Sequence, residues 1–264
     1  MNFELSKKLR SAGELYEIRQ CRDINTGESR AVKIFRKVEL TPIAIETIKR
    51  EVSLLRELDH PNIMKIHQVI EDADRIYLIT DDFRGLNLFS HIILKNRLSE
   101  TETATIAAQL ASAVKYLHKQ DLVIRRLRPE SIVFSDTDSI QELRLTDLLL
   151  FNYIEKLEDE RPYAIEELFN PPKSSFQGER KFIPEYNHIM SAPELLPPLN
   201  PLKNPRRYYD QQVDVWMLGC LIYNMVTGVP AFYDDQFNDK SEVFIKIRDG
   251  QWFGNMTHYH ENPT

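Results

Sequence analysis

Ile124-Arg-Arg-Leu-Arg-Pro-Glu-Ser131 is the stretch on which the reading of this chain turns. Upstream of it, Ser99-x-x-Glu102 forms a capping box, in which a hydroxyl and a carboxylate satisfy the first free N–H groups of a helix. Ile106, Leu110, Ala113, Val114 and Leu117 follow on one face, so the helix runs up to Tyr116-Leu-His118. Downstream, two short apolar runs at 131–134 and 143–146 flank the turn-forming Ser135-Asp-Thr-Asp138. The order is helix, loop, two short strands. At the centre of the loop stands Arg126, a guanidinium with a pKa above about 12 that cannot act as a base at neutral pH.

Working outward toward the N-terminus, 15–21 and 29–35 are strand-like around the turn cluster Asp23-Ile-Asn-Thr-Gly27. Thr41-Pro42 supplies an N-cap and a proline at the first helical position. Ile45, Ile48, Val52 and Leu55 recur at helical spacing, which predicts an amphipathic helix over 42–58 that Asp59-His-Pro-Asn62 stops. Segments 63–70 and 75–80 read as a hairpin around Glu71-Asp-Ala-Asp74. Toward the C-terminus, 214–227 (DVWMLGCLIYNMVT) is apolar nearly all round, the mark of a buried helix, and Gly228 fits its C′ position. The stretch 151–213 is polar, contains prolines and shows little periodicity. A strand-rich lobe joined to a mainly helical lobe is the coarse α+β architecture.

At 264 residues the chain is long enough for two small lobes with real cores. A net charge of −6 argues against broad electrostatic binding to nucleic acid or to an anionic membrane. Cys21 and Cys220 lie far apart without disulfide or metal spacing, which suggests a reducing compartment. The start, MNFELSKKLR, has no apolar signal core, and no apolar run reaches the roughly 18 residues a membrane span needs. A cytoplasmic location is the expectation.

Seven segments, in order, resemble the protein kinase signature set. Arg30-Ala-Val-Lys33-Ile looks like the strand bearing the phosphate-binding lysine, and Lys49-Arg-Glu51 through Asp59-His-Pro-Asn-Ile63 like the helix whose glutamate pairs with it. Tyr116-Leu-His118 fits the helix before the catalytic loop, and 124–131 falls where His-Arg-Asp-Leu-Lys-Pro-Glu-Asn is expected. Thr146-Asp-Leu-Leu149 stands in place of Asp-Phe-Gly. Ser191-Ala-Pro-Glu194 resembles the end of the activation segment, and Asp214-Val-Trp-x-x-Gly219 the central buried helix. The wording at 54–70 and 109–134 is most similar to calcium/calmodulin-dependent serine/threonine kinases. The resemblance implies a bilobal fold, with a small lobe over 1–83 and a large lobe over 84–264 curtailed at its C-terminus. A long activation segment would span 147–194.

What the resemblance implies for chemistry is loss. Phosphoryl transfer needs phosphates held, magnesium placed and a carboxylate to accept the hydroxyl proton. Arg126 stands at the carboxylate's position, Ser131 replaces the metal-binding asparagine, and Arg128 replaces the loop lysine. Asp147 is kept, as a weak metal ligand or as a cap on local backbone. In the phosphate loop, aligned as Ser11-Ala-Gly13-Glu-Leu-Tyr16-Glu-Ile18, only Gly13 survives, and close backbone approach to phosphate needs residues without a Cβ. Lys33 and Glu51 fit two readings, a grip on nucleotide phosphates or an ion pair that ties helix to strand. Ile18, Ala31 and Val133 keep the adenine side apolar. Leu55, Ile66, Ile124 and Leu148, above Asp214, would stack as an apolar column between the lobes.

The expectation is an inactive kinase-like interaction or scaffold module that requires no cofactor. Any ATP site, built on Gly13, Ile18, Ala31, Lys33, Glu51 and Asp147, is expected to bind weakly and with doubtful use of magnesium. Protein partners are expected at 147–194, with its acidic run 155–160 and Arg180-Lys181, and at the curtailed large lobe. The competing readings are a kinase of low activity and a nucleotide-binding switch without turnover.

Overall fold

The alternation of apolar residues in the first eighty positions resolves into a five-stranded antiparallel sheet with the order β1-β2-β3-β5-β4. The computed structural model describes residues 3–12, 16–40, 42–125, 127–136, 139–146, 148, 189–196, 210–232 and 240–252. The strands are β1 (Phe3–Ala12), β2 (Tyr16–Asp23), β3 (Ser29–Arg36), β4 (Ile66–Glu71) and β5 (Arg75–Asp81). Ladders β2·β3 and β3·β5 run without interruption. Both outer ladders are broken by register shifts, at Leu5/Lys8 and Lys8/Arg10 in β1·β2 and at Ile66/Gln68 in β4·β5.

Helix α1 (Pro42–Arg56) covers one face of the sheet. Its Ile48 and Val52 join Ala31, Phe35, Ile76 and Leu78 in one buried cluster. The other face buries Val32, Ile34, Tyr77 and Ile79 around Cys21. The helix ends two residues before the predicted position, because Glu57 and Leu58 donate to carbonyls three residues back and tighten the chain into a turn. Glu71 Oε1 takes Lys37 at 2.7 Å and Lys49 of α1 at 2.9 Å, which holds the Glu71 carboxyl below its usual range. Exposed pairs of this kind stabilise little by themselves. They do fix α1 to β4.

Two short strands, β6 (Ile132–Phe134) and β7 (Leu143–Leu145), form a separate ladder. Leu145 bridges Ile63 in parallel, with Leu145 N donating to Asn62 O at 2.8 Å and Met64 N to Leu145 O at 3.0 Å. Packing divides the chain into two units, Met1–Leu86 with Val133–Gln177 and Asn87–Ile132 with Gly178–Thr264.

The second unit is helical. Helix α2 (Leu88–Lys95) is capped by Asn87, whose side chain accepts from Ser90 N, and α3 (Glu100–His118) carries the predicted capping box between Ser99 and Glu102. Helix α4 (Gln212–Thr227) ends at Gly228 in the left-handed conformation, φ 81°. A side chain there would run into the Asn96 carbonyl. Helix α5 (Lys240–Asp249) follows, with Val243 and Ile247 buried. The prediction that 214–227, apolar nearly all round, is a buried helix holds for most of its faces. Val213, Met217, Leu221 and Met225 are buried, but Val215 and Ile222 are exposed, because none of the described residues packs over that face. Of 151–213, only 189–196 and 210–213 are described, so the reading of 151–188 as a long polar loop lies outside the described residues.

Candidate functional site

In the first unit the site is built around Lys33 on β3, where five successive buried residues leave no room for an exposed ammonium. Lys33 is only 7% exposed, and its Nζ donates to Thr146 Oγ1 at 2.8 Å. Thr146 is held there because β7 is locked against residues 62–64. A cavity of about 30 Å³ opens beside this bond, lined by Leu55, Ile66, Leu78, Thr80 and Leu148 among others. That is room for a water or two, far below the roughly 300 Å³ at which small-molecule sites begin. Three members of the predicted column, Leu55, Ile66 and Leu148, line this one cavity.

In the second unit the loop at 124–131 is framed by a buried carboxylate. Asp214 of α4 has no exposed surface. Its Oδ2 accepts from Ile124 N at 2.8 Å and lies 2.7 Å from His118 Nε2, while its Oδ1 accepts from Arg125 N at 2.6 Å. Arg125 adopts φ 60°, a conformation that side-chain-bearing residues hold only when the surroundings impose it. Downstream, Pro129–Ser131 forms a 3-10 turn closed by Ser131 N on Arg128 O at 3.0 Å. Arg128 Nε donates to the hydroxyl of Ser131, itself fully buried, at 3.1 Å.

The sequence-predicted site residues therefore fall into three sets. Lys33 and Thr146 meet in the first unit, where Ile18 and Ala31 are also buried, at 5% and 8% exposure, within the protein's own core. Val133 is buried as well. Arg128 and Ser131 meet in the second unit. Gly13, Arg126 and Asp147 lie outside the described residues, and of Glu51 only the helical backbone is described. Sequence reasoning missed Thr146 as a partner of Lys33 and the bond between Arg128 and Ser131. Thr146's place beside Asp147 was the only signal for the first. Glu194 sits in the 3-10 turn Pro193–Leu195 and forms no ion pair among the described residues.

Other chemistries find no support among the described residues. No group of three or more His, Cys, Asp or Glu is placed to hold a metal. Both cysteines are buried, and burial pushes the thiol of Cys21 up to about 11 and that of Cys220 to about 12, so neither is a ready nucleophile. No described helix is long and apolar enough to cross a membrane.

The model of the protein kinase domain matches residues 7–260. The chain belongs to the protein kinase family. Similar proteins include calcium-dependent protein kinase 5 of Plasmodium falciparum, 30% identical over 227 residues, which cover 86% of this chain and 34% of that protein. Calcium-dependent protein kinase 5 of Plasmodium berghei is 28% identical over 95% of this chain and 38% of its own length. Calcium-dependent protein kinase 14 of Arabidopsis thaliana is 27% identical over 92% and 41%. The chain thus spans about two-fifths or less of these relatives.

Kinase domains typically use ATP and magnesium. Against that requirement, the buried Lys33 has the right charge for a phosphate but is already engaged by Thr146. Ile18 and Ala31 leave little surface for a base to stack on. Ser131 does not fit a metal. Its single oxygen already accepts from a guanidinium, and like charges about 4 Å apart repel by roughly 4 kcal/mol per unit charge at an effective dielectric near 20. No step of phosphoryl transfer is routed through this position.

Proposed function

We propose that this kinase-family domain is an inactive interaction module in which binding has replaced phosphoryl transfer. The observation that carries the reading is the hydrogen bond from Arg128 to the buried Ser131, which sets a cation on the position where kinases place a metal ligand. The sequence supports it, since Arg126 stands where the proton acceptor is expected. Losing a positioned base costs about 10²–10⁴ in rate, and losing metal and phosphate positioning removes the larger remaining part of the stabilisation. Protein partners, with 147–194 and the large lobe as docking regions, complete the proposal.

The test is transfer of labelled phosphate to a generic basic peptide and to the protein itself. The unmodified chain and Arg126→Asp are both expected to show none above background, because the single reversion leaves Ser131 and the phosphate loop unrepaired. Arg126→Asp with Ser131→Asn gives at most a faint signal. Turnover by the unmodified chain that disappears in Lys33→Met would overturn the proposal and make the chain a kinase of low activity.

A further inference from the structure

The turn Asp59-His-Pro-Asn62 after α1 holds its histidine in one protonation state. Asn62 N lies 3.0 Å from His60 Nδ1. A backbone amide can only donate, so Nδ1 must offer its lone pair and the ring proton must sit on Nε2. A proton on Nδ1 removes the acceptor and sets one N–H against another. Ile63 N on His60 O, at 3.1 Å, closes the same turn through main chain and does not titrate. What the turn holds is β7. Asn62 O accepts from Leu145 N at 2.8 Å, Asn62 Nδ2 donates to Leu143 O at 3.2 Å, and Met64 N donates to Leu145 O at 3.0 Å. Thr146, next along the chain, receives Lys33 Nζ.

We infer that His60 is a proton-operated latch on β7. Protonation at Nδ1 unfastens Asn62, loosens the chain along 143–145, and with it the bond between Thr146 and Lys33. The surroundings of the ring set the direction of the response. His60 is half-buried, and burial first, then the guanidinium of Arg144 on β7, hold its pKa below the ordinary histidine value. Arg144 is itself fixed, by Glu142 at 3.1 Å and by the Phe83 ring, whose centre lies 4.8 Å from the guanidinium carbon. Lys65 donates to the Arg56 and Leu58 carbonyls, and Asp59 is exposed. The folded turn therefore selects the neutral ring. Such a group stabilises fully above the unfolded value of about 6.5, and its contribution is lost as pH falls below that. The latch is closed at neutral pH and opens in acid. It lies within the first unit and does not depend on whether the loop at 124–131 is active.

Two measurements on the full chain test this. NMR titration of the histidine rings should place the His60 midpoint below that of a histidine in an unstructured peptide, and Arg144→Gln should raise it. Amide exchange, expressed at each pH relative to the unstructured chain, reads the latch itself. Protection at Asn62, Met64 and Leu145 should fall about threefold to tenfold between about pH 7.5 and about pH 5, the loss expected for one hydrogen bond. His60→Asn is the control. Its Oδ1 accepts from the amide two residues on, as in an Asx turn, and does not titrate in this range, so protection should persist and stay level. A His60 midpoint at or above the ordinary value, or protection that ignores pH in the unmodified chain, would overturn the inference. So would a fall that persists in His60→Asn, since the titrating group would then lie elsewhere, as at His67 on Asp81.

Discussion

Asp214 holds main chain, not substrate. Two of its three hydrogen bonds go to the N–H groups of Ile124 and Arg125, so it sets the shape of the loop whatever side chains the loop carries. Hydrogen bonds to a charged group contribute more than neutral ones, and a buried site left half-satisfied is costly. Asp214→Asn is therefore expected to lower unfolding free energy by about 2–4 kcal/mol in urea, although the chain is read as silent in catalysis. A change below about 0.5 kcal/mol would show that the clamp is idle. Much of this scale was legible in sequence. Leu127, Pro129 and Glu130 fix the register by which the sequence assigns places to Arg126 and Ser131, although Arg126 lies outside the described residues. The bond between Lys33 and Thr146 was not legible, since it joins residues 113 positions apart and depends on a strand contact at Asn62–Met64 that no local pattern encodes.

Among the elements, two helices end on glycines of the same kind for different reasons. Gly228 after α4 and Gly250 after α5 both have positive φ, 81° and 66°. At Gly250 an added Cβ would meet nothing, while at Gly228 it would collide with the Asn96 carbonyl just beyond α2. Gly250→Ala should cost only left-handed strain, about 1 kcal/mol, and Gly228→Ala at least about twice that. Thermal melts of the two variants decide it, and equal shifts would refute the steric argument. The elements that sequence reasoning missed share a physical cause. In β1 the two register shifts destroy the period-2 alternation by which a strand is recognised. Helices α2 and α5 are short, and exposed Ile93, Leu94 and Ile245 blur their apolar stripes. The longer helices α1, α3 and α4 were clear because capping, proline position and spacing agreed.

For the whole molecule, the two units each hold a different set of the sequence-predicted site residues, Lys33 in one and Arg128 and Ser131 in the other. A ligand of the folded state raises its melting temperature, by an amount that grows with the logarithm of ligand concentration over Kd. Millimolar ATP is expected to shift the melting transition slightly, and by the same amount with magnesium as with a chelator, because Ser131 is not available to a cation. A shift of several degrees that requires magnesium would contradict this and favour the nucleotide switch. The sheet has one more consequence. Its inner ladders are regular, whereas both strands at its rims, β1 and β4, carry register shifts. An irregular rim is a poor template for a foreign strand, so the sheet is guarded against edge-to-edge addition and fibre growth. Recognition by strand addition is disfavoured at these rims for the same reason.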